Sequence, residues 1–425
     1  MSISESPIVL SNAQIVNVET GEFDEARHLL IADGIIREMS AKPITSSIAQ
    51  RIDLEGKTLL PGLIDCHVHV VAGIASLNGS AVFPDSLVAA RAARIMHGML
   101  MRGFTTVRDV GGADHGLVAA IEEGSMLGPR LVICGKALSQ TGGHGDFRGR
   151  FDDRKVGSQE KRLGSVGRIA DGVRQIRLAA REQIKGGAQF IKIMANGGIA
   201  SPTDPIHFLG FSIAELKAVV EEARMAGTYV AGHLYTDEAI RRFIECGGHS
   251  VEHGNLVTFE TAQLMRERGA YVVPTLVTFE AIAEEGAKLG FPAESLAKIE
   301  DVRGSGPQSL DIYRRAGVKM AYGTDLLGPM HRHQSREFSI RARVLPASEI
   351  IKSATLIGAE LVGLQGKVGT IKVGAYADII AINGNPLADI SLLTGQGENI
   401  PFVMKGGSVI KSDGRFFGLP DVSSG

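Results

Sequence analysis

Two hydrophobic patterns divide this chain. Residues 7–60 run in short alternating stretches, PIVLSNAQIVNV and then HLLIADGIIREM, with Asp33-Gly34 placed for a hairpin turn. The same style returns over 366–411 in GKVGTIKVGAYADIIAING and FVMKGGSVIKS. There the alternation predicts a strand around Ile371, with Gly369 and Gly374 at its ends. Two β-rich tails around one long middle predict a small second domain built from both chain ends, residues 1–60 and 363–425.

The middle, 61–362, alternates apolar strand runs with helical ones. Strands are predicted at 63–70, 105–110, 130–135, 189–196, 229–235, 250–254, 271–276 and 319–325. Eight short apolar strands, most followed by a helical pattern, fit an α/β chain closed as a (β/α)8 TIM-like barrel better than an open sheet. Helices are expected at Leu87–Met101, Val173–Ile184 and Ile213–Ala226. In the second, Val173, Ile176, Ala180 and Ile184 form one apolar stripe, and Gly186-Gly187 supply a stop. Residues 277–318 are less regular and suggest two helices around Gly290-Phe291-Pro292.

Composition narrows the class. The chain has 425 residues, of which 44% are apolar and 22% charged, as in ordinary globular proteins. Lys and Arg number 45 against 47 Asp and Glu, which argues against a general nucleic-acid or membrane-surface binder. Cys66, Cys134 and Cys246 are widely spaced, which fits a reducing compartment rather than a disulfide scaffold. No apolar run approaches the ~18 residues of a membrane span, and Met1–Asn12 lacks the pattern of a signal peptide. A cytoplasmic location is the resulting expectation.

The candidate chemistry lies in where the histidines fall. In a βα barrel the C-terminal strand ends carry the active site. His67 and His69, in PGLIDCHVHV, stand at i and i+2 and share a face with Asp65, while Cys66 and Val68 face the helices. They can hold a divalent metal, or be strand residues satisfied by their neighbours. His233, His253 and Asp325 each end a strand, and each taken alone reads equally as a polar loop-end residue. Together the five form a nitrogen and oxygen ligand set suited to Zn2+, Mn2+ or Co2+. Lys192 sits among apolar neighbours in QFIKIMAN. It either snorkels to the rim or, desolvated and neutral, takes up CO2 as a carbamate able to bridge two metals.

These residues resemble the amidohydrolase superfamily. LLPGLIDCHVHV, FIKIMANGG, GHLYTDEAI, VEHGN and YGTD match its metal motif, and the tails match its small β-sandwich domain. TTVRDVGG, TGGHGD, FIKIMANGGIASPTD and HLYT look like the branch of Xaa-Pro dipeptidases, carboxypeptidases and ochratoxinase-type amidases related to imidazolonepropionase. The resemblance implies two divalent ions, of which Zn2+ is the expected one. His67, His69 and Asp325 would hold the first and His233 and His253 the second, bridged by N6-carboxylated Lys192. It implies Asp325 as proton shuttle and His144 as stabiliser of the tetrahedral oxyanion. Tyr235 shares a face with His233 and is a hydrogen-bonding partner for the substrate carbonyl or carboxylate. His144 reads otherwise as a solvated loop residue and Tyr235 as a core tyrosine.

The implied reaction is hydrolysis of the amide bond to a C-terminal amino acid in dipeptides or N-acyl amino acids. Such a small-molecule enzyme needs no nucleic acid or membrane partner, and its relatives commonly form homo-oligomers. Cyclic-amide or imidazolone hydrolysis, deamination and lactone hydrolysis are alternatives on the same fold. A non-catalytic scaffold is disfavoured, because all six ligand positions are intact. The pocket loops offer Phe83-Pro84, Arg148, Arg150, Pro205–Phe208 and Met330–His333, though each taken alone reads better as a solvated loop segment.

Overall fold

A computed structural model of the chain describes residues 6–416 apart from 156, 158, 202, 292 and 414. Its centre is a set of parallel strands. Three of them, Arg130–Ile133, Phe104–Asp109 and Leu63–Val68, form one sheet in that order. Seven more form a second, in the order Gly167–Ile169, Ala137–Ser139, Ile191–Met194, Val230–Thr236, Ser250–Leu256, Tyr271–Val273 and Lys319–Met320. Every pairing within both sheets is parallel.

Hydrogen bonds cross between the two sheets. The Cys66 amide donates to Tyr322 O at 2.7 Å and the Asp325 amide to His67 O at 2.8 Å. On the other side, the Gln189 amide donates to Ile133 O at 2.8 Å. Strands such as Leu63–Val68 and Ile191–Met194 are buried along their whole length. That explains their near-continuous apolar runs, since parallel strands are covered on both faces.

The chain tails meet as the hydrophobic pattern predicts. Thr58–Pro61 pairs antiparallel with Ile379–Ile382, so N-terminal and C-terminal strands lie in one seven-stranded sheet. A four-stranded sheet of Ile35–Ser40, His28–Ala32, Ile8–Ser11 and Gln50–Asp53 accompanies it. Leu10, Leu29, Ile36, Leu59, Ile379 and Phe402 share one buried cluster drawn from both tails. Among the described residues no helix is long and apolar enough to cross a membrane.

Three local expectations need correction. The run around Ile371 is not a strand. Gly369 and Gly374 have φ of +69° and +89° and turn the chain, so Ile371 is buried from a loop. The helix Gly172–Lys185 buries Ile176, Ala179 and Ala180, whereas Val173 in its first turn is 38% exposed and Ile184 half-buried. Residues 276–316 hold three helices, Leu276–Glu285, Ala293–Arg303 and Gly306–Ala316, rather than two. Pro292, placed at their break, lies outside the described residues.

The hairpin at Asp33-Gly34 forms as expected, both residues having positive φ, +53° and +73°. A Cβ at Gly34 would also stand 2.8 Å from Gly406 O. Gly34→Ala is therefore expected to lower stability by about 1–3 kcal/mol, read as a reduced denaturant midpoint. An unchanged midpoint would mean that the turn does not hold the two hairpins in register.

Candidate metal centre

The eight residues singled out from the sequence line one cavity with an empty volume of about 570 Å3: His67, His69, His144, Lys192, His233, Tyr235, His253 and Asp325. Leu77, Phe147, Ile199, Phe279 and Ile282 supply apolar wall. His67, Lys192, His233, Tyr235 and His253 stand on parallel strands, His69 directly follows one, and His144 and Asp325 come from the loops that follow, with the backbone bent where two of them enter. His253 and Asp325 have φ of +72° and +52°. The other non-glycine residues with positive φ among those described are Asn12, Asp33, Glu55 and Asp413, none of them buried. A left-handed backbone at a non-glycine position is costly and clusters at functional sites, and here His253 is buried and Asp325 half-buried. At His253 the bend also overrides strand alternation. Glu252 and His253 are consecutive, yet both contact the His67 ring.

The imidazoles are tied from outside. His67 Nδ1 lies 2.8 Å from Glu252 Oε2, His69 Nδ1 2.9 Å from Gly111 O, and His253 Nδ1 2.7 Å from Thr275 Oγ1. Their Nε2 atoms turn inward. Those of His67 and His69 lie 3.3 and 3.2 Å from Asp325 Oδ1. His253 Nε2 lies 2.9 Å from His233 Nδ1, and His233 Nε2 is 3.3 Å from Gly197 O. One ring nitrogen tied to a carboxylate, carbonyl or hydroxyl and the other aimed at a shared space is the arrangement of metal-binding histidines. Ligand atoms of His67, His253 and Asp325 all fall within 4.8 Å of one another. The expected grouping of His67, His69 and Asp325 is thus in contact, as are His233 and His253, and His253 also reaches the first group.

Electrostatics suit the same use. Burial, reinforced by His144 and His253 for His233 and by His67 for His253, pushes both rings well below the ordinary histidine range, so they stay neutral. Burial alone would raise the Asp325 carboxyl, but His67, His69 and His253 hold it far below the usual range. Lys192 is 1% exposed, and burial lowers its proton affinity against the opposing pull of Glu252 and Asp325. Burial raises the Tyr235 hydroxyl well above the ordinary range. These donors are nitrogen and oxygen only, which fits a divalent ion such as zinc.

His144 and Tyr235 flank the ligands. The His144 ring stacks on His233 with centroids 4.0 Å apart, and its Nδ1 meets Ser201 Oγ at 2.7 Å. Tyr235 stacks on His253, with centroids 5.1 Å apart.

The expected pocket loops fall elsewhere. Phe83 packs under Arg91, Arg148 pairs with Asp146, and Arg332 and His333 both pair with Glu285. His331 is buried against Ala72 O, and burial pulls its proton affinity down to about 3. None of them, nor Arg150 or Pro205–Phe208, lines the cavity of the histidines.

The supporting layer escaped the sequence reading. Arg108 makes a bidentate contact with Glu252, its NH2 lying 2.7 and 2.8 Å from the two oxygens, and both side chains are fully buried. Asp109 accepts from the amides of Val70, Gly111 and Ala113, which fixes the residue after His69 and the turn whose Gly111 carbonyl meets the His69 ring. Two charged residues inside TTVRDV, and a Glu beside His253 in VEHGN, were the available signals.

A family model described as the amidohydrolase family matches residues 58–410. The ochratoxinase of Aspergillus niger is 35% identical over 368 residues, 84% of this chain and 76% of its own. A crystal structure of an amidohydrolase shares 51% identity with a TM-score of 0.94, covering 96% of this chain and 99% of its own. A crystal structure of a prolidase complexed with N-methylphosphonate-L-proline shares 49% identity with a TM-score of 0.94, covering 96% and 100%.

Replacing Glu252 by Gln keeps the shape but removes the charge that orients His67. Zinc affinity, measured by competition with a chelator, is expected to fall about 10- to 100-fold. Affinity equal to the parent protein would mean that the Glu252 contact does not serve the centre.

Proposed function

The chain belongs to the amidohydrolase family and is a hydrolase of amide bonds, and we propose that it cleaves the bond to a C-terminal amino acid in dipeptides or N-acyl amino acids. The observation that carries the reading is the inward set of ring nitrogens on His67, His69, His233 and His253, closed by Asp325 and Lys192 in one cavity. The prolidase and ochratoxinase among the similar proteins support the C-terminal amino acid as leaving group. The apolar wall of Leu77, Phe147, Phe279 and Ile282 supports a substrate with apolar side chains.

The architecture belongs to the same proposal. We read the parallel strands as a closed (β/α)8 barrel of residues 61–362. Residues 1–60 and 363–425 then form the small β-sandwich domain. The backbone hydrogen bonds between the two parallel sheets and the strand pairing of both tails support that division.

His67, His69 and Asp325 would hold one divalent ion, zinc being the first choice, and His233 and His253 a second. When bound, such ions acidify a water and polarise the scissile carbonyl. Lys192, whose neutral amine is favoured by burial, would add to CO2 and release a proton. The carbamate so formed would add a carboxylate to the ligands that would hold the two ions. Asp325, whose Oδ1 faces His67 and His69, would accept the proton of the attacking water and return it to the leaving amine. Ser201 occupies His144 Nδ1, which leaves Nε2 to donate to the developing oxyanion. Tyr235, whose hydroxyl stays protonated, donates to the substrate carbonyl or carboxylate.

The first test is a mass-spectrometric screen. Zinc-loaded protein with bicarbonate meets a library of Xaa-Pro, Xaa-Arg, Xaa-Phe and N-acyl amino acids. Metal-dependent release of one C-terminal class is expected. No release from any member, with two ions bound, would overturn the proposal and favour cyclic amides or lactones.

Two variants test the roles. Asp325→Asn is expected to fold normally and lose kcat by about 10²- to 10⁴-fold; a kcat near that of the parent would remove it as proton carrier. Lys192→Ala is expected to lose most activity and regain part of it with short carboxylic acids. Full activity without them would sink the carbamate.

A further inference from the structure

Lys298 lies on the helix Ala293–Arg303, and no metal ligand comes from that helix. Its Nζ donates to three backbone carbonyls: Gly198 O at 2.8 Å, Asp204 O at 2.9 Å and Ser201 O at 3.0 Å. An ammonium has three N–H donors and no acceptor, so three carbonyls saturate it. All three carbonyls belong to residues that touch His144. Ser201 Oγ meets His144 Nδ1 at 2.7 Å, and Asp204 Oδ2 stands 3.4 Å from the same nitrogen. Gly198 packs so closely that a Cβ there would fall 2.1 Å from His144 Cε1. The Gly198 amide in turn donates to Asp204 Oδ2 at 2.8 Å, which closes the loop on itself.

We propose that Lys298 is a positioning residue for His144. It clasps the 198–204 loop from outside and so fixes the contacts that aim the imidazole into the cavity. The inference rests on the reading of His144 as the oxyanion donor. Lys298 does not line the cavity and bonds to no candidate metal ligand, so its hydrogen bonds reach the site through the loop. Lysine fits better than arginine here, because three carbonyls converge on one atom and a planar guanidinium spreads its donors.

A double-variant cycle on the metal-loaded enzyme tests this. Lys298→Met is expected to lower kcat about 10- to 100-fold with KM changed less than threefold, since a misplaced donor costs mainly the transition state. In a His144→Ala background the same substitution is expected to leave kcat unchanged. Lys298→Ala, which opens a space for a small cation, is expected to regain part of its kcat with ethylammonium. Equal losses in the two backgrounds would overturn the positioning role and mark Lys298 as merely structural. Full kcat in Lys298→Met would overturn it as well. If His144→Ala itself retains full kcat, it is the oxyanion reading that fails, which the first arm of the cycle reveals separately.

Discussion

Arg108 and Glu252 meet inside the parallel strands with no exposed side-chain surface on either. Two ions taken out of water are stable there only because their hydrogen bonds are nearly all made. Arg108 donates to Glu252, to Cys66 O and to the hydroxyls of Tyr229 and Ser250. Glu252 accepts from Arg108 and Ser250 and faces His67 Nδ1. Removing one member of such a pair strands its partner, at a cost of about 3–5 kcal/mol. The pair therefore fixes the Phe104–Asp109 and Ser250–Leu256 strands against Leu63–Val68. Through Glu252 it also fixes which nitrogen of His67 looks into the cavity.

The same logic repeats outward. Asp109 holds the amides around His69, Thr275 holds His253, and the 198–204 loop holds His144. Each of the five histidines that would touch substrate or metal has a polar contact on its far side. The centre is thus held by a shell that is more buried than the centre itself, the condition under which a ligand set keeps its geometry.

How much of this was legible beforehand follows from chemistry. The histidines and Asp325 stood out because they are polar residues ending apolar strands. Lys192 stood out because nothing around it in sequence could pair with it. Arg108 and Glu252 carry the same signal, a charge inside a strand, yet alternation also permits them to face water. Only their pairing across 144 positions separates the two cases. Lys298 carries no local signal at all. On a helix with Glu294, Glu300 and Arg303 it looks like one more solvated charge. The apolar alternation near Ile371 misled because glycines turn the chain at both ends of a run that otherwise reads as a strand.

One seam has a further consequence. The Asp325 amide bonds to His67 O, and Asp65 is held by Thr324 across 259 positions of sequence. The first and last of the strands that carry the candidate ligands therefore come together at the centre itself. During synthesis the chain emerges in order, so a nascent chain that has not yet presented Asp325 cannot assemble the ligand set. A centre that holds a metal would, by that fact, mark a chain whose first and last ligand-bearing segments have already joined.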